Sequence, residues 1–204
     1  MKKYELTSET KVFLGKTLYR IKALVQFGNV NAGDLGGWIE KEENLSQSGN
    51  AWVYGNAWVY GNAEVSGDAR VSDDARVYGN AWVSGDARVY GNARVSGDAS
   101  VYGDARVYGD AEVYGNARVS GNAEVCKIGA VFWIGAIGSR NRTTTFFRCK
   151  DGKIYVSCGC FLGDLEEFSD KVKQTHGDNE HGRVYMLAIE MAKARIVEEK
   201  NEVH

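Results

Sequence analysis

A chain of 204 residues with 25 lysines and arginines against 27 acids has a formal charge of −2 and a pI of about 6.0, which argues against nucleic acid or an anionic membrane as a partner. It contains 25 glycines and no proline, and because the glycines recur at a fixed interval they are structural, not a flexible linker. No apolar run is long enough to span a membrane and MKKYELTSETK lacks the apolar stretch of a secretory signal, so a cytoplasmic chain with reduced Cys126, Cys149, Cys158 and Cys160 is expected.

Residues 1–36 read as an N-terminal β cap, with TKVFLG and LYRIKALVQF as short strands around the turn-like Gly15-Lys16. Residues 37–126 are expected to form a β-helix. Ile39 and Leu45 stand twelve and six residues before Ala51, in its phase, so residues 31–48 predict a first, irregular coil.

From Gly49 to Cys126 run thirteen uninterrupted hexads of Gly-Asn/Asp-Ala-x-Val-Tyr/Ser, with Asp73 replacing one glycine. Ala and Val alternate onto one face of a short extended segment, and the x and Tyr/Ser side chains point the other way. Gly-Asn and Gly-Asp make the bend, because glycine accepts positive φ and Asn or Asp tolerates it. One hexad buries too little to stand alone, whereas stacked hexads bury a continuous narrow column. Hairpins on Asn-Gly turns do not fit, since the order here is Gly-Asn at too short an interval.

The pattern V-Y-G-N-A-R-V resembles the hexapeptide repeat of left-handed parallel β-helices, and GDLGGWIEKEENLSQSGNAWVYGNA resembles a family of bacterial and prophage hexapeptide-repeat proteins, some labelled acetyltransferases. The resemblance implies three hexads per coil, a left hand, a triangular section and side-by-side packing into homo-oligomers such as trimers. Thirteen hexads then make a little over four coils, roughly 20 Å of stack.

At three hexads per coil, the outward residues form three columns: Trp52, Arg70, Arg88, Arg106, Glu124; Trp58, Arg76, Arg94, Glu112; and Glu64, Trp82, Ser100, Arg118. Tyr54, Ser72, Tyr90 and Tyr108 run beside the first, with Asp68, Asp86 and Asp104 at its corner. One reading is a soluble surface, in which arginine stems cover aromatic rings and pair with corner aspartates. The other is a flat wall of Arg70, Arg88, Arg106, Tyr90 and Tyr108 that docks a partner protein or an anionic ligand. Six arginines against ten acids leave residues 49–126 at −4, which is no nucleic-acid footprint. Trp52, Trp58 and Trp82 suggest a contact surface, for the chain's own cap first and another subunit second.

Residues 127–204 read as a small α+β domain of order β-β-β-α-α. Its strands are AVFWIGAIG, TTTFFRC and KIYVSC, with a turn at Lys150-Asp151-Gly152. Asp164 and Glu167 form a capping box for a helix with Leu165, Phe168 and Val172 on one face, ending near Gly177. A second helix aligns Tyr185, Ile189, Ala192 and Ile196 and runs to about Lys200. The segments GSRNRTTTFFRCKDG and GCFLGDLEEFSDKVKQTHGDNEHG resemble a small domain of phage-associated proteins.

Three chemistries are open. The repeat class implies acyl transfer, with a coil histidine as general base and acyl-CoA between subunits. The only histidines here, His176, His181 and His204, lie outside residues 49–126. Cys158 and Cys160 with His176 and His181 loosely resemble a metal site, with Cys149 as an alternative ligand, and share a face if the strand there is regular; free thiols and a helix-terminal histidine are the simpler reading. Arg140, Arg142 and Thr143 in GSRNRTTT could grip a phosphate or carboxylate, or form only a polar hairpin. No Walker loop, Ser-His-Asp order or dinucleotide fingerprint appears. The expectation is a non-enzymatic phage or prophage protein without a cofactor, whose rigid β-helix presents the C-terminal domain to a host or phage protein or a small anion. The alternative is a CoA-dependent acyltransferase.

Overall fold

The computed structural model describes residues 1–149 and 151–196; Lys150 of the predicted turn, the predicted helix end at Lys200, and His204 lie outside them. Each hexad supplies one two-residue strand, its x-Val pair, from β4 (Trp52–Val53) to β16 (Glu124–Val125). Every alanine and valine of residues 49–126 is at most 1% exposed, so the alternation places them in one dry interior. Strands pair in parallel with the equivalent strand three hexads on, as in Val53 with Val71, Val71 with Val89 and Val89 with Val107. Three such walls enclose a β solenoid of about five turns.

The corners explain the glycine period. Gly85 has φ 67°, and a Cβ there would stand 2.9 Å from the Gly103 nitrogen of the next coil. Asp73 adopts the same conformation at φ 60°, and its Oδ2 accepts from the Gly91 N–H at 3.0 Å. Aspartate tolerates that region, and its carboxylate meets the next coil's backbone donor.

The N-terminal segment adds β1 (Tyr4–Phe13), β2 (Lys16–Ala23) and β3 (Leu35–Ile39). The hairpin turns at Leu14 and Gly15, with φ of 49° and 76°. β1 begins earlier than TKVFLG because Tyr4 pairs with Ala23 and is buried; the polar residues between hide that strand in the sequence. β3 pairs antiparallel with β2 and parallel with the Trp58–Val59 strand, so the hairpin extends one solenoid wall to seven strands. The irregular first coil follows the predicted phase: Ile39 pairs with Val59, Leu45 bridges Val65, and both are buried.

Some of the first coil's carbonyls accept from the irregular coil before it, as Ala57 O from the Trp38 N–H and Val65 O from the Ser46 N–H, both at 2.9 Å, and side chains serve others. Lys3 Nζ donates to Ala51 O at 3.0 Å, Tyr4 OH to Leu45 O at 2.7 Å, and Asn44 Nδ2 to Ala63 O at 2.8 Å. The cap also covers two tryptophans. Trp52 meets Tyr4 and Phe27, with ring centroids 6.0 and 5.3 Å away, and Trp58 meets Phe13 at 4.9 Å. Trp82 departs from the expectation of cap packing. It stands on a wall to which the hairpin adds no strand and is 43% exposed.

The C-terminal unit has four strands, not three: β17 (Val131–Ile137), β18 (Arg142–Arg148), β19 (Ile154–Cys158) and β20 (Phe161–Asp164), in an antiparallel meander. β20 is only four residues long and contains glycine, which leaves no alternation to read. Then come α1 (Leu165–His176) and α2 (Glu180–Arg195). The capping box forms as expected: Asp164 Oδ1 accepts from the Glu166 and Glu167 N–H groups at 3.0 Å, and Glu167 accepts from Asp164 N–H at 2.9 Å. Alternation along β18 divides its duties. Phe146 packs beneath the helices with Phe168, Val172 and Ile189, while Phe147 joins the solenoid core, as does Cys149 just beyond the strand. Thr145 Oγ1 accepts from the Arg118 N–H at 3.0 Å, and Ala123 bridges Cys149, so the last coil's edge is covered. Among the described residues no helix is long and apolar enough to cross a membrane.

Candidate functional site

Two surfaces gather the residues singled out in the sequence. The first is a cleft of about 260 Å³ in the C-terminal unit, lined by Arg140 and Arg142 of the β17–β18 hairpin and by Cys158, Cys160 and His176. Residues read as two unrelated candidates therefore share one cleft. Its floor is apolar, with Ile137, Phe161, Phe168, Val172 and Tyr185, and Lys171 adds a third cation to a rim without carboxylates. Lys171 was not anticipated; its signal is helical spacing, four residues before Thr175 on the exposed side of α1.

The hydroxyls of TTT do not line this cleft. Thr143 borders a second depression together with Arg142 and with Asp98, Asn116 and Arg118 of the solenoid, Thr145 binds the last coil, and Thr144 Oγ1 donates to Cys158 Sγ at 3.2 Å. Nor do Cys158 and Cys160 share a strand face. Gly159, at φ 61°, starts a tight turn in which Cys158 pairs with Phe161, and Cys160 stands exposed at the hairpin tip. His181 lies beside His176, ring centroids 5.7 Å apart, and does not line the cleft. Among the described residues no three His, Cys, Asp or Glu side chains converge to hold a metal ion. Tyr185 OH approaches Cys158 Sγ to 3.6 Å, and burial, with that thiol beside it, pushes the phenol's pKa up. Cys149, at the solenoid junction, has a pKa pushed up to about 12 by burial, then by Asp151 and Glu124, which keeps it a thiol.

The second surface is the first outward column. Arg70, Arg88 and Arg106 lie in register on adjacent coils, and with Tyr54, Ser72, Tyr90 and Asn29 they line a groove of about 450 Å³. Tyr108 is stacked on Tyr90 with ring centroids 5.0 Å apart. Corner aspartates do not neutralise these arginines: among the described residues no arginine forms an ion pair with a corner aspartate. Corner side chains instead bond along their own column, as Asn80 to Asp98 at 2.9 Å and Asn92 to Asp110 at 3.1 Å, because the register sets them side by side. The second column is internally satisfied. Arg76 lies 4.6 Å over the Trp58 ring, and Arg94 pairs with Glu112 at 3.3 Å. In the first column Arg106 pairs with Glu124 at 3.4 Å, whereas Arg70 and Arg88 have no ion pair among the described residues.

Comparison with known proteins bears on the coils. A family model described as "YdcK Beta solenoid repeat" matches residues 69–85, 87–103 and 111–126. These three stretches of the coils are similar to the YdcK β-solenoid repeat. The protein named "Uncharacterized acetyltransferase YdcK" of Escherichia coli (strain K12) is 39% identical over 62 residues, which cover 26% of this chain and 19% of that protein. The chain thus spans under a fifth of that relative's length, and its own regular hexads carry no histidine.

Proposed function

We propose that this is a binding protein, in which the stiff YdcK-type solenoid carries a C-terminal recognition domain for a small anion with an apolar or aromatic portion. The observation that supports this reading is the cleft itself: Arg140, Arg142, Lys171 and His176 ring an apolar floor that includes Phe161 and Phe168, with no carboxylate in the lining. The continuous core through Phe147 and Cys149 suits a domain held rigidly for presentation. The same reading extends to an oligomer, a trimer by resemblance to hexapeptide proteins, and to a phage or prophage setting in which a host protein, a phage component or a signalling anion is captured. Calorimetry of the full chain with phenyl phosphate tests the recognition cleft. The expected result is saturable binding that weakens about tenfold or more in the Arg140→Ala/Arg142→Ala double variant. Binding unchanged by that variant overturns the assignment.

A second reading, CoA-dependent acyl transfer, is favoured by the name of the relative matched over 62 residues. Titration with acetyl-CoA separates the two. Tight binding against the coil walls, with acetyl group turnover, would replace the first reading.

A further inference from the structure

The tyrosine column beside the unpaired arginines has a tooth missing. At the sixth place of the hexads on this face stand Tyr54, Ser72, Tyr90 and Tyr108. Where two tyrosines are neighbours on adjacent coils, their rings stack flat: Tyr90 on Tyr108 with centroids 5.0 Å apart and planes at 4°, and Tyr60 on Tyr78, on the next face, at 5.1 Å and 3°. Tyr54 and Tyr90 are two coils apart, roughly 10 Å at the usual strand spacing, and Ser72 between them carries no ring. A planar ring placed over Ser72 would lie about 5 Å from each tyrosine, within the range for favourable aromatic stacking.

The cations stand on the same rungs. Arg70 and Arg88, without ion pairs among the described residues, line the groove together with Tyr54, Ser72 and Tyr90. Its volume of about 450 Å³ accommodates a ring with an anionic tail. The next face provides a contrast. Ser96 leaves a similar gap between Tyr78 and Tyr114, but there Arg94 is already engaged by Glu112 at 3.3 Å. That gap has the slot without the free cations.

We propose that this groove is a nucleotide site, distinct from the C-terminal cleft, with the base stacked over Ser72 between Tyr54 and Tyr90 and the phosphates on Arg70 and Arg88. The base meets faces of the kind that stack every nucleobase, so selectivity lies in the combination of ring and multiple charge, not in one base.

Calorimetry of the full chain with ADP, pyrophosphate and adenosine tests it. ADP is expected to bind more tightly than either fragment. Ser72→Tyr, which installs a side chain the repeat already uses at that place, should weaken ADP about tenfold or more by filling the slot. Ser96→Tyr should leave ADP affinity unchanged, and Arg88→Ser, which copies the residue at Ser100, should weaken it about tenfold. Both kinds of variant keep the hexad pattern, and an unchanged thermal melt verifies the fold. Absent ADP binding, ADP no tighter than pyrophosphate, or Ser72→Tyr behaving as wild type each overturns the site. Loss of ADP binding in Arg140→Ala/Arg142→Ala with none in Ser72→Tyr would move the nucleotide to the C-terminal cleft and refute the solenoid assignment, whereas the phenyl phosphate result stands or falls separately.

Discussion

Lys3 shows how one residue ties the cap to the coils. It is 4% exposed, donates to the carbonyls of Ala51 and Gly49 at 3.0 and 3.4 Å, and lies 4.9 Å over the Phe27 ring. Burial lowers its pKa from 10.5 to about 8, against the opposing pull of Asp68. Below about 8 the folded and unfolded states both carry the proton, and the cost of burying the charge is present in full. Between about 8 and 10.5 the unfolded chain binds more protons than the folded one, so this group's contribution to stability rises with pH through that window. The difference in melting temperature between wild type and Lys3→Met, followed from pH 7 to 10, should therefore move in favour of wild type; a flat difference excludes a depressed Lys3. Neither the burial nor the shift was legible in MKKY, because the carbonyls that hold Lys3 belong to residues 46 and 48 positions away.

At the scale of elements, readability followed locality. The Asp164–Glu167 capping box was plain because all its partners lie within three residues, and both helices follow from their apolar spacing. Asp164→Ala should cost about 1 kcal/mol in denaturant unfolding. The bond from Glu167 N–H, with Lys153 at 3.1 Å, holds the Asp164 carboxyl below its usual pKa of 3.8. Its stabilisation is present above that value and is lost as pH falls through the lowered one, so the gap between wild type and variant should close in acid. A gap that persists at low pH would show that the carboxylate is not what caps α1. β20 escaped notice because its pairing with β19 comes from a turn at Gly159 and Cys160, which also separates two cysteines that a regular strand would have placed on one face.

For the whole molecule, the solenoid is held by repeated register and closed by different chemistry at each end, and one tryptophan of the coils is left exposed. Trp82 is 43% exposed, with the Tyr102 ring 6.3 Å away. In the oligomeric reading this patch is covered by another copy, so Trp82→Arg should shift sedimentation equilibrium toward monomer without lowering helix or sheet content; an unaltered mass distribution would place the interface elsewhere. By itself the sequence determined the repeat's phase and the buried alanines and valines, because every offset that is a multiple of six keeps each valine inside; the pairing of residues three hexads apart, and with it the three columns, was implied by the family resemblance and is fixed by the strand register of the structure. Only the tertiary structure decided which columns are neutralised, which tryptophans are covered, and that Arg140, Cys158, Lys171 and His176 meet around one cleft. Those outcomes depend on where non-repeating segments land on the coils, and such contacts between distant residues leave no period to read.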